Sequence, residues 1–268
     1  VIDFLYSAKG STLFVFPHPD DDVFVGGTLS LLVRAGAQVD AAWMTSGGYD
    51  GLDRVREGEL HRAMNVVGIA QRHLLRLPDG GLVRALEDAC EMLGELIGEL
   101  RPQAVVAPAF EGGHADHDAT NFAVVEACRR TRSEARLFEY PCYAPDYDAQ
   151  NGLRLGAFPA HSAGVRRVDL DEIAAGCKAS MVEAYVSQKP VFDLLGWRLS
   201  DEEYFREIPH DRDHRHSPLA GLDSYAHWFN WRSRDRFGQL AAAVAGSTTA
   251  APRTGVVPEE GPAMPVRA

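Results

Sequence analysis

Short apolar runs alternate with segments of helical period through the first half of the chain, and this alternation limits the fold more than any other feature. Thr12–Phe16, Val39–Thr45, His73–Leu77, Ala104–Pro108 and Arg136–Tyr140 read as strands. Between them lie helical patterns near Val25–Ala35 and over Asp53–Val67, Leu82–Leu100 and Ala115–Arg130. The third is the clearest: Leu82, Leu86, Ala89, Leu93, Ile97 and Leu100 fall on one face. Repeated strand–helix–strand units predict an α/β, Rossmann-like architecture, a mostly parallel sheet with helices on both faces and right-handed crossovers. With 268 residues, 46% of them hydrophobic, the chain has enough apolar surface for one large core.

Beyond Pro141 the pattern changes. Tyr143–Gly164 is rich in Pro, Gly, Asn and Asp and reads as loop. Val165–Leu170 reads as a strand, and Asp169 with Glu172 resembles a capping box for a helix to about Ser187. Leu194–Ile208 adds a strand or a short helix. We divide the chain into a single domain, 1–245, with a core of about 11–190 and a C-terminal elaboration over 191–245. The unpatterned Gly, Ser, Thr, Ala and Pro stretch 246–268 reads as a flexible tail.

The formal net charge of -11 argues against nucleic-acid or anionic-membrane partners, which need a basic footprint. No run approaches the ~18 apolar residues of a membrane span. No basic segment followed by an apolar one marks a leader, although the chain begins at Val1, and a cytoplasmic location is the expectation. Cys90, Cys128, Cys142 and Cys177 form no CxxC pair and read as buried reduced thiols, with Cys90 and Cys177 on apolar helix faces.

The first strand ends in Pro17-His18-Pro19-Asp20-Asp21-Asp22, and the fourth is followed by Glu111-Gly112-Gly113-His114-Ala115-Asp116-His117-Asp118. In a parallel α/β sheet ligands bind beyond the carboxyl ends of the strands, so these distant clusters are expected to meet there. Together they offer the imidazoles and carboxylates that suit a borderline cation such as zinc. Two imidazoles and one carboxylate leave a position for water, and spare carboxylates can act as base or support. Three adjacent aspartates are tolerable if a bound cation lowers their repulsion. Either cluster alone reads equally well as loop or helix-cap chemistry. The pair does not.

Pro17-His18-Pro19-Asp20-Asp21-Asp22 with Gly26-Gly27-Thr28 resembles the "AHPDDE…GG" signature of the LmbE-like, or PIG-L, family of zinc-dependent N-deacetylases. His114-Ala115-Asp116-His117 resembles that family's "HPDH". Thr45-Ser46-Gly47-Gly48, Arg56-Glu57-Gly58-Glu59-Leu60, Leu77-Pro78-Asp79-Gly80 and the Lys178…Ser187-Gln188 segment fall in the family's order, so the likeness spans about residues 11–190. The resemblance implies a hydrolase that removes an N-acetyl or other N-acyl group from an amino sugar or its conjugate. It implies one zinc ion per subunit, replaceable by other divalent cations, with His18, Asp21 and His117 as ligands. It makes Asp20 the general base, His114 the partner of the developing oxyanion, and Asp116 the group that orients His114 and favours its protonated form. Arg56 and Asp79 match sugar-holding positions of the mycothiol-precursor branch, and a homo-oligomer is in keeping with such enzymes. Three positions depart from the pattern: Asp22 replaces Glu, Ala115 replaces Pro, and Gly112 stands where the mycothiol branch has a tyrosine.

Two other readings compete. Asp20-Asp21-Asp22-Val23 also fits the start of a magnesium-dependent phosphohydrolase, which would leave the His-rich cluster without a task. A non-catalytic sugar-binding relative would retain the metal site alone. His210, His214 and His216 read first as a solvated charged loop and second as a lid over this or a neighbouring site. His61, His73, His161 and His227 receive no role, and Trp197, Trp228 and Trp231 read as core or cover. Gly26-Gly27 is expected to shape the entry to the first helix.

Overall fold

The computed structural model describes residues 2–5, 10–48, 51–145, 153–160 and 162–214. The domain end at 245, the tail, His161, His216, His227, Trp228 and Trp231 lie outside these residues. The elements in chain order are β1 (Ser11–Phe16), α1 (Gly26–Arg34), β2 (Gln38–Thr45), α2 (Asp53–Val67), β3 (Gln71–Leu77), α3 (Leu86–Leu100), β4 (Ala104–Pro108), α4 (Ala115–Thr131), β5 (Arg136–Tyr140), β6 (Tyr143–Pro145), β7 (Leu153–Leu155), β8 (Arg166–Asp169), α5 (Glu172–Ala184), α6 (Lys189–Leu195) and β9 (Glu202–Glu207).

Among the described residues, seven strands form one sheet in the order β3-β2-β1-β4-β5-β9-β8. The pairs among β1 to β5 are parallel, whereas β9 pairs antiparallel with both β5 and β8. The sheet is therefore α/β and mostly parallel, as the alternating pattern predicts. Every residue of β1 is buried, because both faces are covered. Phe14 and Phe16 join Trp43, Val106 and Phe138 in a core shared with residues of α1, α2 and α5. Leu13 and Val15 point the other way, into a core with Met44, Val105, Leu137 and residues of α3 and α4.

Strand order runs outward from β1 on one side through β2 and β3, and on the other through β4 and β5. The switch point falls between β1 and β4, where such sheets open a crevice at their carboxyl end. Both polar clusters follow these two strands.

Several boundaries differ from expectation. The first helix is preceded by a 3-10 turn over Asp21–Val25, and the third pattern begins as a 3-10 turn over Leu82–Ala85. The stretch expected to be loop after Pro141 contains the β6–β7 hairpin. The N-cap of α5 is Asp171, which accepts from the Ala174 N–H at 2.8 Å, rather than Asp169. That helix ends at Ala184 and is followed by a 3-10 turn over Val186–Gln188. Cys177 is only half-buried, at the α2–α5 contact.

Gly26 and Gly27 do more than open α1. A Cβ at Gly27 would lie 2.3 Å from Leu170 Cδ1, and one at Gly26 2.7 Å from Met181 Sδ. Their bareness lets the start of α1 press against α5 and the segment before it. The N–H groups of Gly27 and Thr28 then donate to the Glu203 carboxylate at 2.9 and 2.8 Å, so β9 caps α1. Lys178, 3% exposed, pairs with Glu203 at 2.8 Å and completes this buried anchor.

Candidate metal centre

Pro17 and Pro19 break the chain out of β1, and Asp20 follows with φ 103, a left-handed backbone at a non-glycine residue. This turn splays the three aspartates. Asp21 faces inward: its Oδ2 accepts the His18 N–H at 2.9 Å and lies 3.0 Å from His18 Nδ1, while its Oδ1 lies 3.2 Å from His117 Nε2. Asp22 faces the core, where Trp43 Nε1 donates to it at 3.1 Å and Tyr185 Oη at 2.5 Å. Asp20 faces Arg56, whose guanidinium donates to its Oδ1 at 2.6 Å.

The second cluster closes on the first. His18 and His117 have ring centroids 5.5 Å apart, His18 and His114 4.8 Å, and His114 and His117 5.1 Å. His18 Nε2 lies 3.2 Å from both Asp79 and Asp116. The carboxyl ends of β1, β3 and β4 thus all reach one imidazole. Although burial pushes the His18 pKa down, its bonds to Asp116, Asp21 and Asp79 hold it well above the usual histidine range. Three carboxylates drawn onto one imidazole mark a place that accepts positive charge.

The structure revises two expectations for the His-rich segment. The Asp116 carboxylate accepts from Gly80 N at 2.7 Å and Leu82 N at 3.1 Å and meets His18, so it is spent on the loop after β3 and on the first cluster. Its link to His114 runs through the main chain, the Asp116 N–H donating to His114 Nδ1 at 3.2 Å. That bond makes His114 the N-cap of α4. Partial burial, His18 and His117 together press the His114 pKa well below 6.5, against the expected imidazolium. With Nδ1 accepting, the tautomer assigned by this bond is neutral with its proton on Nε2.

The Asp-rich turn divides its protonation in the same way. Burial raises the Asp20 carboxyl to about 7 against the pull of Arg56, and raises Asp22 to about 8. Asp21 is held well below the carboxylate range: burial opposes this, but His117 and His18 prevail.

The intervening motifs supply the frame. Thr45 Oγ1 donates to Pro17 O at 3.0 Å, and Arg56 donates to Pro19 O at 2.5 Å and Gly47 O at 2.8 Å. A Cβ at Gly47, where φ is 65, would lie 2.5 Å from the Arg56 guanidinium carbon, so that position needs glycine on both counts. Ser187 N and Oγ donate to Glu59 at 2.9 and 2.6 Å, tying the middle of α2 to the 3-10 turn that follows α5. Arg56, expected at the sugar, is turned onto the Asp20 turn.

Sequence reading missed Trp43 and Tyr185 on Asp22, the Lys178–Glu203 anchor and the position of Cys142. Lys178 inside an otherwise apolar helix pattern was the available signal for the anchor. His214 is neither a solvated loop residue nor part of a lid: it is 2% exposed, between Phe110 and Phe122, with Nε2 2.8 Å from Asn121 Oδ1. His210 Nε2 meets Ala135 O at 3.1 Å.

A cation suits these donors. Both ring nitrogens of His117, 2% exposed, lack a hydrogen-bond partner despite the ion-pair distance to Asp21. Among the described residues, three sets of side chains have ligand atoms within 4.8 Å of one another: His18 with His114 and His117; Asp21 with His117 and Cys142; His18 with Asp79 and Asp116. His18, Asp21 and His117 are distributed over the first two. Imidazole, carboxylate and thiol together favour a borderline ion over magnesium or calcium.

Residues 13–128 match the PIG-L family, described as GlcNAc-PI de-N-acetylase. Among curated relatives, a probable N-acetyl-α-D-glucosaminyl L-malate deacetylase 2 from Bacillus cereus is 31% identical over 46% of this chain and 63% of its own length. A 1D-myo-inositol 2-acetamido-2-deoxy-α-D-glucopyranoside deacetylase from Kineococcus radiotolerans is 31% identical over 43% of this chain and 44% of its own. The chain thus spans less than two thirds of either relative. Among solved structures, an N,N'-diacetylchitobiose deacetylase from Pyrococcus horikoshii superposes with a TM-score of 0.59 at 17% identity, covering 78% of this chain and 88% of that one. A 4-carboxy-2-hydroxymuconate hydratase from Pseudomonas putida superposes at 0.55 with 12% identity, covering 75% and 96%. At such identities the likeness shows the fold, and one fold serves more than one reaction.

Proposed function

From the premise that residues 13–128 are a PIG-L-family domain, we propose that this chain is a metal-dependent N-deacetylase of amino-sugar conjugates of the N-acetylglucosamine type. One observation carries the reading: His18, Asp21 and His117, from two distant segments, meet in a buried spot where His117 has no other hydrogen-bond partner. These three residues would hold the ion, and zinc is the metal their chemistry favours. A divalent cation held there would supply Lewis acidity toward an amide carbonyl and would lower the pKa of a water to about 7.

The remaining work belongs to the chain. Asp20, with a carboxyl near neutrality, takes the proton of the attacking water and returns it to the departing amine, help worth ~10²–10⁴-fold. Arg56 fixes the direction of that carboxylate and, through Pro19 O, the strained turn beneath it. His114 offers its Nε2 proton to the oxygen that gains charge, and as a neutral donor it loses no proton to solvent beforehand. A single donor of this kind stabilises a transition state by roughly 3–4 kcal/mol. Asp116 acts as a brace between the loop after β3 and His18. Asp79, 3.2 Å from His18 and partly exposed, is the carboxylate best placed to meet a sugar hydroxyl.

The test is a panel of N-acetylglucosamine conjugates scored for free amine, with and without a chelator. Amine released only in the chelator-free arm supports the proposal. Phosphate release from an aryl phosphate without any amine would favour the phosphohydrolase reading. Bound zinc and bound sugar with no amine from any conjugate would favour a binding protein.

A further inference from the structure

Cys142 lies two residues beyond β5, at the same end of the sheet as His18 after β1 and His117 after β4. Because β1, β4 and β5 are neighbours, three successive strand ends each send a ligand-type side chain to one place. Cys142 is fully buried, and its Sγ, an Asp21 oxygen and a His117 ring nitrogen lie within 4.8 Å of one another. Its backbone is pinned on both sides: the N–H donates to Glu111 Oε2 at 3.2 Å, and the carbonyl accepts from Gly156 N at 3.0 Å.

A buried cysteine is ordinarily a small hydrophobe. Cys90 and Cys128 fit that description in the apolar core between the sheet and helices α3 and α4. Cys142 differs because it stands beside a carboxylate and an imidazole. That imidazole is the second observation: apart from the approach of Asp21 Oδ1 to Nε2 at 3.2 Å, neither ring nitrogen of His117, 2% exposed, has a hydrogen-bond partner. Such a group is normally satisfied in a folded protein, so a ligand is the simplest occupant. Amide hydrolysis as described above makes no use of the thiol.

We propose that Asp21, His117 and Cys142 form a thiolate-containing cation position that overlaps the imidazole-rich set of His18, His114 and His117 and takes thiophilic divalent ions, cadmium or excess zinc. This deepens the metal reading above and rests on it. As the sulfur–metal bond forms, the Cys142 S–H proton leaves to water. His117 belongs to both positions and Asp21 ties them together, so an ion on the sulfur side draws these ligands from His18. Thiophilic ions therefore inhibit.

The experiment titrates cobalt and cadmium into chelator-stripped protein and follows the visible cobalt bands and the near-ultraviolet thiolate-to-metal charge-transfer band. The expected result is a charge-transfer band in the unaltered chain that Cys142→Ser abolishes while the cobalt bands persist. Cadmium binding should weaken by roughly 10–100-fold in that variant. Cobalt bands without charge transfer, or charge transfer that survives Cys142→Ser, would overturn the proposal and leave the deacetylase reading standing. Absence of any metal binding would defeat both. Should Cys142→Ser fail to fold, X-ray absorption of the unaltered zinc-loaded chain decides: a sulfur neighbour supports the proposal, and a shell of nitrogen and oxygen alone refutes it.

Discussion

Among the described residues, the buried polar clusters around Glu139 and around His117 are finished differently. Glu139, fully buried on β5, has both oxygens engaged. Oε1 accepts from Arg206 at 2.7 Å and Arg212 at 3.0 Å, and Oε2 accepts from Asn121 at 3.2 Å and Phe110 N at 3.3 Å. Asn121 also donates to Pro108 O at 2.7 Å and accepts from His214 at 2.8 Å. Around His117 the account stays open: its two nitrogens, Asp22 Oδ1 and Glu111 Oε1 are all buried without a hydrogen bond. Buried charge that is fully paired ties elements together, whereas buried charge left short of partners costs stability and persists where a ligand completes it.

If the open cluster is the working one, its substitutions should cost activity before stability. The largest effects are expected there. His117→Ala should lose both bound metal and turnover, as metal analysis beside an amine assay would reveal. Asp20→Asn should keep its metal and lose ~10²–10⁴ in kcat, and a near-normal rate would remove Asp20 as the base.

The closed cluster should behave in the opposite sense. Glu139→Ala strands two guanidinium groups and is expected to cost about 3 kcal/mol or more in denaturant unfolding, with metal content unchanged in the folded fraction. A metal-poor yet equally stable variant would erase the distinction between the regions.

His214 sharpens the contrast through pH. Burial and the nearby Arg212 lower its pKa to about 4, below the ordinary 6.5 of the unfolded chain. Between these values the unfolded chain binds the proton and the folded one does not, so stability is full above 6.5 and declines as pH falls toward 4. The loss is about 3 kcal/mol, and His214→Gln should flatten that part of the stability curve. An unchanged curve would mean that His214 is protonated in the fold.

The smallest effect is expected at the boundary of the open cluster. Tyr185→Phe removes a hydroxyl from Asp22 and should cost about 1–2 kcal/mol of stability, with little change in kcat, because Asp22 faces the core and not the reacting groups. A large loss of kcat would show that Asp22 communicates with Asp20 more closely than its orientation implies.

The two strand-end clusters were readable because each carries charges where an apolar pattern breaks, and the motifs between them and on to Gln188 were readable through their resemblance to a known family. What each residue touches was not readable. Asp20, Asp21 and Asp22 are chemically identical in the sequence, yet one backbone torsion at Asp20 sends them to Arg56, His117 and Tyr185 respectively. Asp116 was expected to serve His114 two positions away, but the folded chain brings the loop after β3 and His18 closer to its carboxylate. His214 sits in a run of charges that reads as solvated, and only the gap between Phe110 and Phe122 buries it.

Periodicity and strand-end composition alone determined the parallel α/β sheet and the two clusters destined for its carboxyl end, since side-chain period and chain direction are local properties of the backbone. Which carboxylate takes a proton near neutrality, which imidazole stays neutral and which thiol stands beside the site were decided only by tertiary packing. Those outcomes depend on desolvation and on charges from residues far away in sequence, and both arise only once the strand ends have come together.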